Sequence, residues 1–252
     1  MSTGAQADTL HVEDFTEDGY RAVLRAARER YSFESYGTHC EEPHTILRHD
    51  VDASPQRAAR IATIEQDEGV RSVYCFHLHN WFYNLLEPQA AARVREVLAR
   101  GHGLGLHFET GFYGADVDRD RLAELIRFET DVLERVFEHP VEVFSFHNPT
   151  VGGDLRHDDD EVAGLINAYG RALRERYAYV SDANGYWRFR RLIDVVEANE
   201  EERLHVLTHP EWWTPEALPP RERLVRCAEG RAAASLAAYD AALAAAGRRN
   251  VG

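Results

Sequence analysis

Short apolar runs alternate with longer stretches of helical periodicity along almost the whole chain. A strand of a parallel sheet is buried on both faces and reads as a short continuous apolar run. An amphipathic helix repeats its apolar positions every three to four residues. On that basis helices are predicted over 17–31, 54–69, 88–100, 119–138, 161–177, 189–199 and 220–246. Strands are predicted over 44–49, 72–79, 104–108, 141–147, 178–182 and 204–209. Tyr20, Leu24 and Ala27 share one face of the first helix, while Pro88 opens and Gly101 closes the third. Repeated strand–helix units imply an α/β fold with a parallel sheet covered by helices, open or closed into a barrel.

Such folds place their active sites at the carboxyl ends of the strands. Read in order, the predicted strands end in Asp50 and Asp52, His77 and His79, His107 and Glu109, His147, Asp182, and His209. Nearly every strand thus delivers a metal ligand or an acid–base group to one rim, which points to a metal-dependent enzyme. Asp50 and Asp52 project from the same face of an extended segment. Two carboxylates there need a cation between them or a shared proton, unless they are simply solvated, with one capping the next helix. In Gly103-Leu104-Gly105-Leu106-His107-Phe108-Glu109 the imidazole suits zinc, iron, cobalt or nickel, and the carboxylate either ligates or orients the ring.

The segments ending in His147 and His209 repeat this logic, and Trp212 and Trp213 either wall a pocket or plug the core. Asp182 holds a histidine or starts a turn. His77-Leu78-His79 resembles the HxH pair of amidohydrolases, with one of the two facing the site. His157 and the Asp158-Asp159-Asp160 run read as a solvated, helix-capping segment. His11, His39, His44, His102, His139 and His205 carry no signal.

Composition narrows the chemistry. The net charge of −14 argues against nucleic acid or an anionic membrane as partner. The chain has no Lys, which removes Schiff-base chemistry, lysine-anchored pyridoxal phosphate and the P-loop lysine. Cys40, Cys75 and Cys227 are too few and too scattered for a disulfide framework or a thiolate metal site. With no apolar leader and no apolar run of membrane-spanning length, a soluble, cytoplasmic protein is expected.

Arg48-His49-Asp50-Val51-Asp52, the GHxxGLH pattern ending at His107, and Leu207-Thr208-His209-Pro210 together resemble the polysaccharide deacetylase superfamily (NodB homology, carbohydrate esterase family four). The likeness is to its divergent branch, in which HDVD replaces TFDDG, and it extends over roughly 45–213. It implies a distorted parallel (β/α)7-type barrel over 41–252, with 1–40 as a helical extension packed on it. It also implies one divalent metal ion (zinc foremost, with iron, cobalt, nickel or manganese as alternatives) and hydrolysis of an N-acyl, foremost N-acetyl, amide on an amino sugar or related intermediate. By position, Asp50 resembles the family's catalytic base, Asp52 a metal ligand, His107 the first His of the HxxxH metal motif, and His209 the late catalytic His.

The second His of that motif is replaced by Gly111. The remaining ligand is therefore sought at His147 first, then Glu109, then His79. His49, His79, Tyr83, Glu109, Asp182 and Trp213 are candidates for supporting the site or binding substrate. Trp81, Tyr83, Trp187 and Trp213 are candidates for an aromatic sugar platform. The expected partner is a small amino-sugar-like substrate, with a homo-oligomer possible. The rivals are a two-metal hydrolase using His77, His79 and His107, a carbohydrate-binding protein that has lost its metal, and a deacylase-like subunit of a larger complex.

Overall fold

In the computed structural model, which describes residues 10–114, 117–187 and 189–251, nine strands form one sheet. They are β1 (Ser32–Phe33), β2 (His44–Val51), β3 (Val73–Phe76), β4 (Gly103–Phe108), β5 (Val141–Phe146), β6 (Glu161–Val162), β7 (Leu165–Asn167), β8 (Ala178–Ser181) and β9 (Arg203–Thr208). The helices are α1 (Glu17–Arg28), α2 (Pro55–Asp67), α3 (Pro88–Ala99), the single turn α4 (Thr110–Tyr113), α5 (Arg119–Phe137), α6 (Pro149–Gly152), α7 (Arg171–Arg176), α8 (Leu192–Ala198) and α9 (Pro220–Ala245). The strand order is β6-β7-β5-β4-β3-β2-β9-β8, with β1 added beside β2. All pairs are parallel except β6–β7. The sheet curls as a distorted parallel barrel does, but its two ends, β6–β7 and β8, do not pair with each other, which leaves a seam.

The alternation of side chains assigns every strand two faces. Leu47, Val51, Tyr74, Phe76, Leu104, Leu106, Phe144, Leu204 and Val206 point outward and form one large core with α1, α2, α3, α5 and α8. Ile46, Val73, Cys75 and Val143 point inward and form a smaller core with Tyr36 and Ala168. Inner packing is tight. A Cβ on Gly105 would fall 2.4 Å from Cys75 Sγ and 3.2 Å from Val143 Cγ1, so only glycine fits beneath His107.

One predicted helix is absent. Residues 161–177 form the β6–β7 hairpin followed by the short α7. Ala163 and Gly164, at φ 55° and 85°, make the two-residue turn with both φ positive that matches strand twist. That turn interrupts a pattern whose apolar spacing also fits a helix. At the amino end, α1 packs on α8 and α2 while β1 joins the sheet through β2, and the first nine residues lie outside the described set.

The outer face buries the Glu65 carboxylate. Glu65 of α2 accepts hydrogen bonds from the Tyr20, Ser72 and Tyr74 hydroxyls at 2.5, 2.6 and 2.7 Å, and lies 2.7 Å from His49 Nε2. Burial alone would raise its pKa. His49, His102 and the Ser72 hydroxyl outweigh burial and hold it down to about 2, against an ordinary 4.5. A depressed carboxylate contributes stability that is present above its unfolded pKa and is lost as pH falls through the folded value. Stability measured by urea denaturation should therefore decline from pH 4.5 towards about 2. Glu65→Ala should cost about 3–5 kcal/mol at neutral pH, because it leaves His49 and three hydroxyls buried without their acceptor, and should flatten that acid limb.

Candidate metal centre

The inner-facing rows of β2, β3, β4, β5 and β9 end at one rim, where Asp50, Asp52, His77, His107, His147 and His209 meet. Potential ligand atoms of Asp52, His77, His107 and His147 all lie within 4.8 Å of one another. His77 Nε2 and His107 Nε2 stand 3.2 and 3.1 Å from Asp52 Oδ1, and His147 Nε2 and His209 Nε2 stand 3.9 and 3.7 Å from Oδ2. Four imidazoles thus converge on one carboxylate.

The outer nitrogens of these rings settle what faces inward. The Ser145 hydroxyl donates to Asp50 Oδ1 at 3.0 Å, so at 2.7 Å it can only accept from His107 Nδ1–H. In its neutral form, His107 then presents the Nε2 lone pair to Asp52. His147 Nδ1–H donates to Glu109 Oε2 at 2.5 Å, which likewise leaves Nε2 as an acceptor, at present taking the Asn148 amide at 2.9 Å. His77 Nδ1 is buried with no partner among the described residues. Ring lone pairs facing the Asp52 carboxylate repel it unless a cation or a shared proton lies between them. Three imidazoles and a carboxylate, two of the rings oriented from behind, are a donor set that fits zinc, iron, cobalt or nickel.

His209 is anchored differently. Its ring Nδ1–H and its backbone N–H donate to Asp182 at 2.6 and 3.0 Å, and the Trp213 indole adds a third bond at 3.2 Å. Burial opposes a charge on His209, but Asp182 outweighs it and lifts the pKa to about 10. Asp50 is paired with the fully buried Arg48, at 3.2 and 3.3 Å. Burial would raise the Asp50 carboxyl, but Arg48, His107 and His209 hold it below the usual range. Arg48 is itself seated over the Tyr169 ring and donates to its hydroxyl at 3.0 Å.

Several sequence candidates lie elsewhere. His49 is one residue out of phase with Asp50, so it faces the helices, between Glu65 and the Thr208 hydroxyl at 2.7 Å. Tyr83 is buried and donates to the Val51 carbonyl at 2.7 Å. Trp213 packs in the core against Phe15 and Tyr20 and meets the site only through Asp182. Trp187 is buried and bonded to Asp14, which leaves Trp81, 98 % exposed, as the one platform candidate lining a cavity. His79 stacks on Phe112 and reaches Tyr113 and Glu129, so it is His77 that joins the cluster. Glu109 stands behind His147. Its Oε1 also accepts the Gly111 N–H at 2.9 Å, capping α4, and a Cβ at Gly111 would sit 2.9 Å from that oxygen. The capping carboxylate thus crowds the position where the HxxxH pattern expects its second His.

Two cavities open on either side of the cluster, of about 530 and 450 Å³, and share Asp52, His147, Asn148, Asn184 and Trp212 as their common wall. Glu211 lines the second one; it is fully buried, and neither of its carboxyl oxygens has a hydrogen-bond partner among the described residues. Burial and the Asp52 charge push its pKa well above the ordinary range. Among the described residues no helix is long and apolar enough to cross a membrane.

No family model and no curated protein matches the chain. Solved structures do match it. A mutant of a CE4 family pseudoenzyme with restored enzymatic activity is 11% identical over 68% of this chain and 58% of its own length, with a TM-score of 0.42. This chain therefore spans under two thirds of that protein. The chitin deacetylase of Colletotrichum lindemuthianum is 14% identical, with coverages of 76% and 84% and a TM-score of 0.42. The catalytic domain of a peptidoglycan N-acetylglucosamine deacetylase from Eubacterium rectale is 11% identical, with coverages of 78% and 89% and a TM-score of 0.47. These three neighbours are thus two deacetylases and a mutant of a CE4 family pseudoenzyme, and the likeness to them is one of fold.

Proposed function

We propose that the chain is a divalent-metal-dependent hydrolase of an acyl amide on an amino-sugar-like small molecule. The observation that carries this is the convergence of inward-facing acceptors from His107 and His147, together with His77, on Asp52. Asp52, His77, His107 and His147 would hold the metal, zinc foremost. Bound there, the ion supplies Lewis acidity that polarises the acyl carbonyl and makes water acidic enough to ionise near neutrality.

The remaining residues move protons and hold geometry. Asp50 takes a proton from the attacking water as the new C–O bond forms. Arg48 keeps Asp50 ionised, and Ser145 ties its Oδ1 to the His107 ring. His209, charged and fixed by Asp182, gives its Nε2 proton to the nitrogen as the C–N bond breaks. His79, engaged with Tyr113 and Glu129, and the absence of a second strand-end cluster among the described residues, speak against the two-metal alternative.

Metal content by elemental analysis should be near one ion per chain. His77→Ala should lose most of it, whereas His79→Ala should keep it; the reverse result would remove His77 from the ligand set. Glu109→Gln should weaken metal affinity by about 10–100-fold in a chelator competition, since it loosens the orientation of His147. Asp50→Asn should retain the metal and lose about 10²–10⁴-fold in kcat on an N-acylated amino sugar. If it loses the metal instead, the roles of Asp50 and Asp52 are exchanged.

A further inference from the structure

Resting on the hydrolase reading above, we infer that the acyl group the site is built for is an apolar chain well beyond acetyl, seated in the larger cavity, with the amine half of the substrate in the smaller one. The geometry comes from the seam in the sheet. Where β7 and β8 fail to pair, Ala168, Tyr169, Leu173 and Tyr179 line a chamber of about 530 Å³, together with Leu207 from β9 and Leu155. Asp50, His107 and His209 open onto this chamber and not onto the other.

The second cavity, of about 450 Å³, has a mixed lining: it presents His79, Asn80 and the unpartnered Glu211 beside Trp81, Phe82 and Leu224. Because Asp52 and His147 belong to both walls, a bond at the cluster has one half of its molecule in each chamber.

Size decides between acyl groups. The methyl of an acetyl group takes about the volume of one water molecule, roughly 30 Å³. The larger chamber falls in the range of about 300–1,000 Å³ that encloses whole small ligands. An acetyl group would leave nearly all of it to water, much of it against apolar side chains. A longer acyl chain exchanges that water for burial and gains about three- to fourfold in affinity for each added methylene. The polar half suits the opposite chamber, where the Glu211 carboxyl can accept from a hydroxyl or ammonium group that would otherwise be buried unpaired. The reaction balances as a hydrolysis: the water oxygen joins the acyl carbon, the C–N bond breaks, and the nitrogen leaves protonated, giving a carboxylic acid and an amine.

The test uses the metal-loaded protein and glucosamine N-acylated with acetyl, butanoyl, hexanoyl and octanoyl groups. Amine release gives kcat/KM, and calorimetry gives affinity independently of turnover. Both should rise with chain length, by at least tenfold from acetyl to octanoyl. Ala168→Phe and the partly exposed Leu155→Trp, which fill the chamber, should each reduce that octanoyl-to-acetyl ratio by tenfold or more. A flat or falling affinity series, or ratios unmoved in both variants, overturns the assignment of the chamber. Affinity that rises with chain length while no compound in the series is cleaved upholds the chamber and defeats the hydrolase reading instead.

Discussion

The structure turns on one half-buried carboxylate surrounded by nitrogens that point at it. Asp52 receives the inner atoms of His77, His107, His147 and His209 from four different strand ends. Removing a carboxylate from water costs several kcal/mol, and lone pairs aimed at it add to that cost unless positive charge intervenes. The arrangement persists because three of the four rings are pinned from behind, His107 by Ser145, His147 by Glu109 and His209 by Asp182, so these cannot rotate away to relieve it. The same pinning sorts the histidines. Those whose outer hydrogen bond leaves an inward lone pair suit a cation. His209, with its proton count raised by Asp182, suits a donor.

The opposite face of β2 uses the same chemistry to a different end. His49 and Glu65 sit as close as the site pairs do, yet every polar atom of Glu65 is answered by a hydroxyl or a ring nitrogen. A satisfied buried pair fixes α2 on the sheet. The frustrated cluster a few ångströms away, on the inner face, holds a binding potential. Burial and charge alone do not separate structural from functional groups here; the presence of an unanswered partner does.

Much of this was legible in the residues. Alternating strands and helices gave the parallel sheet and its rim, and the rim gave Asp50, Asp52, His107, His147 and His209. Strand parity also places His49, which must face away if Asp50 and Asp52 face in. For His77 and His79 parity was no guide, since both are in phase; what separates them is that β3 stops at Phe76, so His79 falls in the loop. The hairpin at 161–167 was hidden because Ala163 adopts a left-handed conformation that its residue type does not advertise. Glu65 gave no local signal at all, because its partners come from residues 20, 49, 72 and 74 and meet only in the folded chain. Gly111 read as a missing ligand. In space it is the residue whose N–H holds Glu109 in place behind His147, so the departure from the motif comes with its own replacement.

The open seam ties the fold to its site. A fully closed barrel of this size fills its interior with side chains. Here β7 is covered by the antiparallel β6, which protects one free edge, while β8 leaves the other beside the chamber. Closure would fill the space next to Asp50 and His209. It would also confine Arg48, whose guanidinium spans from Asp50 to the Tyr169 ring at the edge of that space. The residue that keeps Asp50 ionised is therefore seated on the wall that the seam exposes. Access for a large substrate group and the charge state of Asp50 depend on the same gap, so a change that closes the seam should disturb both together.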